Sequence, residues 1–298
     1  MKLKGKVALI AGGGQGIGEG ISLCLAEEGA DVAIADINGD NAKKVVEKAK
    51  SLGRKALAVS ADLTEEDEVK KTVQETVNFF GQIDILISNL GGVTLETVMH
   101  MREVRGALGD DTLPEFMYCD ATVWDHYYKL NLRSHALLSQ AVTPYFIKQR
   151  SGKIVNIASI AGRLPEPTQM PYGAMKAGDI SLTWTLARSL APYNVNVNCI
   201  APGLVYTPLW DMGATIRREM AREAIAKGQA LAPGVNPDDI EKLTPRELWL
   251  KYIVLPTTPL GREQTAEDMG RAAVFLVSED AKNITGQILH IDGGIAMR

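Results

Sequence analysis

Over its first ninety residues the chain alternates unbroken apolar runs with longer amphipathic stretches, four times in succession. The run Val7-Ala8-Leu9-Ile10-Ala11 has no polar face. It therefore suits a strand buried on both sides of a parallel sheet rather than one with a wet face. Similar runs stand at 31–35, 56–60 and 83–87. Between them, one helical stripe carries Ile17, Ile21, Cys24 and Leu25, and a second carries Ala42, Val45, Val46, Ala49 and Leu52. A third carries Val69, Val73, Val77 and Phe80, with Thr64 and Asp67 expected to cap it. Such βα units predict an α/β fold: a doubly wound parallel sheet with helices on both faces.

Ligands of such sheets bind beyond the carboxyl ends of the strands, and those ends are where the informative residues fall. Directly after the first strand comes Gly12-Gly13-Gly14-Gln15-Gly16-Ile17-Gly18, opening the first helix. Glycines there permit a tight turn and let a pyrophosphate approach the helix N-terminus, where free N–H groups favour an anion. The second strand ends in Asp36, eighteen residues beyond Gly18. A carboxylate at that place can accept both hydroxyl hydrogens of an adenosine ribose and repels a 2′-phosphate. No arginine follows Asp36 or sits inside the glycine turn. The expected cofactor is NAD rather than NADP. Asp62-Leu63 and Ser88-Asn89-Leu90-Gly91-Gly92 occupy the next two strand ends.

A candidate for the chemistry lies further on, in Tyr172-Gly173-Ala174-Met175-Lys176, with Ser159 upstream. On a helix Tyr172 and Lys176 share one face. A phenol is a poor base at neutral pH, but an ammonium about 5 Å away favours the phenolate by roughly 3 kcal/mol at an effective dielectric near 20. Alone such a pair is weak; beside a dinucleotide site it suggests proton transfer coupled to hydride transfer.

The bulk numbers exclude several alternatives. The 298 residues carry a net charge of −4, which offers nucleic acid or an anionic membrane no attraction. The three cysteines, Cys24, Cys119 and Cys199, are odd in number and lack metal spacing, so reduced thiols and a cytoplasmic location are expected. The apolar run at 7–11 is too short for a signal peptide or a membrane span. His100, His126, His135 and His290 show no ligand spacing, so no metal is expected and structural roles are assigned to them. Arg217, Arg218 and Arg222, alternating with Glu219 and Glu223, read as a solvated helix face.

On these motifs the chain resembles the short-chain dehydrogenase/reductase family over nearly its whole length. The family's Thr-Gly-x-x-x-Gly-x-Gly stands here as Ala11-Gly12 through Gly16-Ile17-Gly18, and its Asn-Asn-Ala-Gly as Ser88-Asn89-Leu90-Gly91. The resemblance implies a Rossmann-type sheet and a catalytic tetrad of Asn131, Ser159, Tyr172 and Lys176. It implies cofactor contacts from Gly12, Gln15, Gly16, Ile17, Gly18, Asp36, Asp62, Leu63, Asn89 and Gly91, besides Tyr172 and Lys176. Pro202, Gly203, Val205 and Thr207 match the loop that grips the nicotinamide carboxamide. Asp292-Gly293-Gly294 matches the usual C-terminal end. By the same resemblance, helices at 121–148 and 171–190 build a homotetramer, or else a dimer.

No repeat or linker divides the chain, so one domain is expected. Two segments exceed what the fold requires. Residues 93–123 are long for a connection and carry Met99, Met101, Leu108, Phe116 and Met117. Residues 208–258, with helices expected at 215–227 and 245–252, correspond by resemblance to a substrate lid. Leu90, Ile160, Leu204, Tyr206, Trp210 and Met212 offer an apolar pocket, and Pro165, Pro167 and Pro171 stiffen the loop before Tyr172. The leading expectation is therefore NAD-dependent oxidation of a bulky apolar secondary alcohol, aromatic or alicyclic, to its ketone. The alternative is reduction of an oxoacyl thioester or another carbonyl. A non-catalytic NAD sensor is the reading from a different class, and it leaves the tetrad without a purpose.

Overall fold

In the computed structural model of the protein, residues 1–109, 113–164 and 170–297 are described. Pro165 and Pro167 lie outside the described residues. Seven parallel strands make one sheet in the order β3-β2-β1-β4-β5-β6-β7. They are β1 (Val7–Ala11), β2 (Asp31–Asp36), β3 (Ala56–Ser60), β4 (Ile85–Ser88), β5 (Gly152–Ile157), β6 (Val195–Pro202) and β7 (Ile288–Ile291). The chain builds outward from β1 to β3, then returns to place β4 on the other flank of β1. That reversal opens a crevice at the carboxyl ends of β1 and β4, the expected place for a ligand.

Alternation along the strands fills both faces. Ala8 and Ile10 of β1 pack with α1 (Gly16–Glu27) and α2 (Gly39–Ser51) on one side, while Leu9 and Ala11 pack with α3 (Glu66–Phe80) on the other. The doubly wound fold is as the sequence indicates, with local differences. The fourth strand begins at Ile85 instead of residue 83, although Asp84 already reaches both neighbours, its N–H donating to Val7 O at 2.9 Å and its carbonyl accepting from Lys153 N at 3.0 Å. Ile83 is fully buried without strand pairing. Thr64 does not cap α3: its hydroxyl donates to Asp62 at 2.8 Å, and Glu65 stands at the N-cap. Leu52 closes α2 at 40% exposure rather than joining its buried stripe.

The segment at 93–123 forms α4 (Leu95–Leu108) and a 3₁₀ turn (Glu115–Tyr118). The helix expected at 121–148 divides into α5 (Ala121–Tyr128), a π-turn (Lys129–Arg133) and α6 (Ser134–Gln149). Then comes α7 (Met170–Leu190). The segment at 208–258 begins with α8 (Pro208–Ala226), seven residues earlier than expected, since Pro208 takes the first helical turn where its missing N–H costs nothing. It continues through α9 (Pro237–Lys242), α10 (Pro245–Trp249), a π-turn and the short α11 (Leu255–Thr257). Thr244 and Glu247 form a reciprocal capping box on α10. Arg218 and Arg222 reach α9 through Ile240 O, Glu241 O and the Glu241 carboxylate, so they tether that helix rather than face solvent alone. The last helix, α12 (Ala266–Val277), packs on α1. Among the described residues no helix is long and apolar enough to cross a membrane, and no group of three or more acidic, histidine or cysteine side chains could hold a metal.

Candidate active site

The glycine turn is a backbone device. Gly12 and Gly16 have φ of +72° and +56°, which side chains with a Cβ rarely adopt. A Cβ on Gly18 would stand 1.9 Å from Gly12 O, so the first turn of α1 lies directly against the strand end. Asn89 from β4's end fastens the turn, its Nδ2 donating to Gly12 O at 2.8 Å. Gln15 is the N-cap of α1 but gives no side-chain hydrogen bond to it, leaving that helix end open to an anion. Thr207, at the N-cap of α8, faces the same turn: its Cγ2 would touch a Cβ on Gly16 at 3.4 Å. Ile17 packs partly against the core behind the turn.

Asp36 closes β2 at 8% exposure. One carboxylate oxygen accepts from Gly14 N and the other from Asn38 N, each at 2.9 Å. Each oxygen keeps a second acceptor site. Beyond it lies a hollow bordered by Asn38, Gly39, Lys43 and Ser60, whose Lys43 is paired with Asp40 at 3.1 Å. Asp62 is exposed and holds Thr64, whereas the Leu63 side chain is in the core, leaving only its backbone for a ligand. A bare glycine edge, an open helix end and a carboxylate at the end of β2 fit a dinucleotide.

At the neighbouring strand ends the proposed chemistry gathers. Ser159 follows β5 and caps a 3₁₀ turn (Ile160–Gly162); its Oγ accepts from Ala161 N at 3.1 Å, leaving the hydroxyl hydrogen to be donated. That turn packs on α7, which carries Tyr172 and Lys176. The Lys176 ammonium lies 5.9 Å from the centre of the Tyr172 ring and is 2% exposed. Tyr172 is half-buried against Val123 and Tyr127 of α5. Asn131 sits in the π-turn, fully buried, and grips Gly92 from both sides: Gly92 N donates to its Oδ1 at 2.7 Å and its Nδ2 donates to Gly92 O at 3.1 Å. Gly91 has φ of +141°, and a Cβ there would stand 2.8 Å from Asn131 Oδ1 and 2.9 Å from Lys176 Nζ. Only glycine lets this backbone pass so close to the pair.

The loop after β6 is fixed from the C-terminal side. Gly203 N donates to Ile291 O, Leu204 N to the Gln264 side chain, and Val205 bridges Gln264 while buried. Pro202 ends β6, and Asp292 accepts from Gly294 N and Ala296 N. Of the six pocket candidates, Ile160 stands next to Ser159 and Met212 is 38% exposed on α8. Tyr206 and Trp210 instead turn onto Trp249 of α10, with ring centres 5.0 and 5.8 Å apart. The Tyr206 hydroxyl is taken by Asp211 at 2.6 Å, and Leu204 joins the same small core. Leu90 packs partly against the sheet core. Leu204, Tyr206 and Trp210 are only partly buried, so they share their surface between the small core at Trp249 and the solvent side. Leu209, not singled out in the sequence, approaches Gly92, its Cδ2 3.5 Å from a Cβ placed there.

The fold and this site define an oxidoreductase that binds a nicotinamide dinucleotide. The sequence profile described as short chain dehydrogenase matches residues 6–218, and one described as enoyl-(acyl carrier protein) reductase matches residues 250–296. The chain belongs to the short-chain dehydrogenase/reductase family. It is 32% identical to the 3-oxoacyl-[acyl-carrier-protein] reductase FabG of Thermotoga maritima across the whole of both chains, and 34% identical to that of Staphylococcus epidermidis over 98% of its length and 99% of the relative's. Among solved structures it resembles a 7 alpha-hydroxysteroid dehydrogenase complexed with NADH and 7-oxo glycochenodeoxycholic acid. That match has a TM-score of 0.73 and 30% identity, covering 98% of this chain and 95% of that one. It also resembles a short-chain type dehydrogenase/reductase from Mycobacterium marinum, with a TM-score of 0.77 and 26% identity, covering 100% of this chain and 98% of that one.

Proposed function

We propose that the protein reduces the ketone of a 3-oxoacyl thioester to the secondary alcohol, reversibly, with NADH as the cofactor. The observation that carries the chemistry is the buried Lys176 ammonium beside Tyr172 at the sheet's carboxyl edge. Bound cofactor supplies the hydride. The Tyr172 hydroxyl gives its proton to the carbonyl oxygen, and the positive charge of Lys176 favours the phenolate left behind. Ser159, with its hydrogen free, donates to the same oxygen and keeps it in line. Asn131 holds the Gly92 peptide, and through it the floor on which Lys176 rests.

Two observations favour the thioester over the bulky apolar alcohol. The curated relatives that match end to end are named for 3-oxoacyl reduction. The aromatic side chains that suggested an apolar pocket, Tyr206 and Trp210, pack on Trp249. The hydroxysteroid dehydrogenase likeness supports the second reading, oxidation of an alicyclic alcohol under the 208–258 lid. A ketone panel read by NADH absorbance separates them. A short 3-oxoacyl thioester is expected to show the higher kcat/KM; a higher value for aryl ketones or cyclohexanones reverses the assignment.

Asp36 supports NAD(H). A 2′-phosphate would meet its carboxylate, like charge against like charge. NADH is expected to be preferred over NADPH at least about tenfold in kcat/KM, on the order of 1.4 kcal/mol. Asp36→Ser is expected to narrow that ratio. Equal use of both cofactors by the wild-type protein would assign the choice to another residue.

A further inference from the structure

Behind Lys176 stands a second set of partners. Its Nζ donates to Ile157 O at 2.9 Å, Asp179 Oδ2 at 3.0 Å and Leu90 O at 3.3 Å, which uses all three protons. The other Asp179 oxygen lies 3.0 Å from Nδ1 of His135. Nε2 of His135 donates to Leu90 O at 2.8 Å. The circuit thus closes on one carbonyl, and it joins α6, α7 and the end of β4. His135 and Asp179 are fully buried. An apolar pair at such places would serve stability as well or better, so a buried acid and histidine call for a specific use.

We propose that Asp179 and His135 are positioning residues for Lys176: Asp179 supplies its counter-charge, and His135 fixes Asp179 and the Leu90 carbonyl on which the ammonium is held beneath Tyr172. The proposal rests on the reading of Tyr172 and Lys176 given above. Burial opposes the Lys176 charge, but Asp179 and then Tyr172 favour it, and the net direction is above the ordinary lysine value. Burial also opposes the Asp179 carboxylate, yet His135 and Lys176 hold it below the ordinary range. The other titratable neighbours stay neutral near pH 7. Cys199, from β6, is pushed up to about 12 by burial, and burial likewise raises Tyr127 of α5, which faces Tyr172. Asp179 is therefore the anion that Lys176 leans on.

Asp179→Asn removes the charge and keeps an oxygen for Lys176 and the side chain's shape. The direct test is a pH titration of the Lys176 side chain in the cofactor-free protein, using lysine labelled with carbon-13 and assigned by loss of the signal in Lys176→Arg. Wild-type Lys176 is expected to remain an ammonium beyond pH 10, whereas in Asp179→Asn it titrates at least about one pH unit earlier, since a buried lysine without a partner loses its charge. The alkaline limb of NADH-dependent ketone reduction should move in the same direction. His135→Gln keeps the Asp179 charge, so Lys176 should titrate at or above the wild-type value; an earlier titration there would deny Asp179 the counter-charge role, and this variant carries the test should Asp179→Asn not fold. An unmoved Lys176 titration in Asp179→Asn, with rate lost equally at every pH, would mean that the pair only fills space. Were Tyr172→Phe fully active, the proposed function itself would fall; an inactive Tyr172→Phe beside an unmoved Asp179→Asn titration overturns this inference alone.

Discussion

Tyr172→Phe is expected to lose about 10²–10⁴-fold in kcat for ketone reduction while NADH binding stays within about twofold, because a positioned general acid contributes on that scale. The ring is half-buried against Val123 and Tyr127, and phenylalanine keeps those contacts. The substitution removes the proton proposed for transfer and leaves Lys176 on its three acceptors. The fold should be unaffected, so the loss belongs to chemistry. Fluorescence titration with NADH and single-turnover reduction measure the two effects separately. A rate within threefold of wild type would remove Tyr172 from the proton transfer and reopen the non-catalytic reading.

The sequence carried the sheet well because its strands are buried on both faces, and burial writes itself as unbroken apolar runs such as 7–11. Where a contact is made with a distant partner, the pattern is silent. The Asp84 carboxylate, a charge inside the run at 83–87, accepts from Val7 N of β1, a contact between strands that no local period encodes. The glycine turn and Asp36 were legible because their work is done by backbone geometry and by one charge at a strand end. Side-chain direction was not. Tyr206 and Trp210 read as pocket lining, but their partner is Trp249, about forty residues onward, and only the folded 208–258 segment brings them together. The same holds for His135 and Asp179. An acid three residues beyond Lys176, on its own face of α7, was the available signal. Its histidine comes from another helix, 44 residues earlier in sequence, and so read as merely structural.

Gly18→Ala is expected to be the most damaging single methyl in the chain's nucleotide-binding half. The added Cβ would stand 1.9 Å from Gly12 O and 2.7 Å from Asn89 Nδ2. Neither atom can retreat cheaply. Gly12 O is backbone, fixed by a φ of +72° and by the hydrogen bond it accepts from Asn89 at 2.8 Å. Relief requires moving α1 away from the end of β1, and α1 is held on its far side by α12, where a Cβ on Gly270 would meet Cys24 Sγ at 2.5 Å. Overpacking of this kind costs about 3 kcal/mol or more when backbone must shift. It also displaces the open helix end that would meet the pyrophosphate, so NADH affinity should fall at least about tenfold, or 1.4 kcal/mol. Gly106→Ala is the control: nothing lies within 4 Å of its added Cβ, and it sits within α4. That change should stabilise the helix by roughly 0.5–1 kcal/mol and leave NADH binding alone. Thermal unfolding with and without NADH distinguishes the two effects. If Gly18→Ala bound NADH like wild type, the close contact between the turn and α1 would not be what shapes the cofactor site.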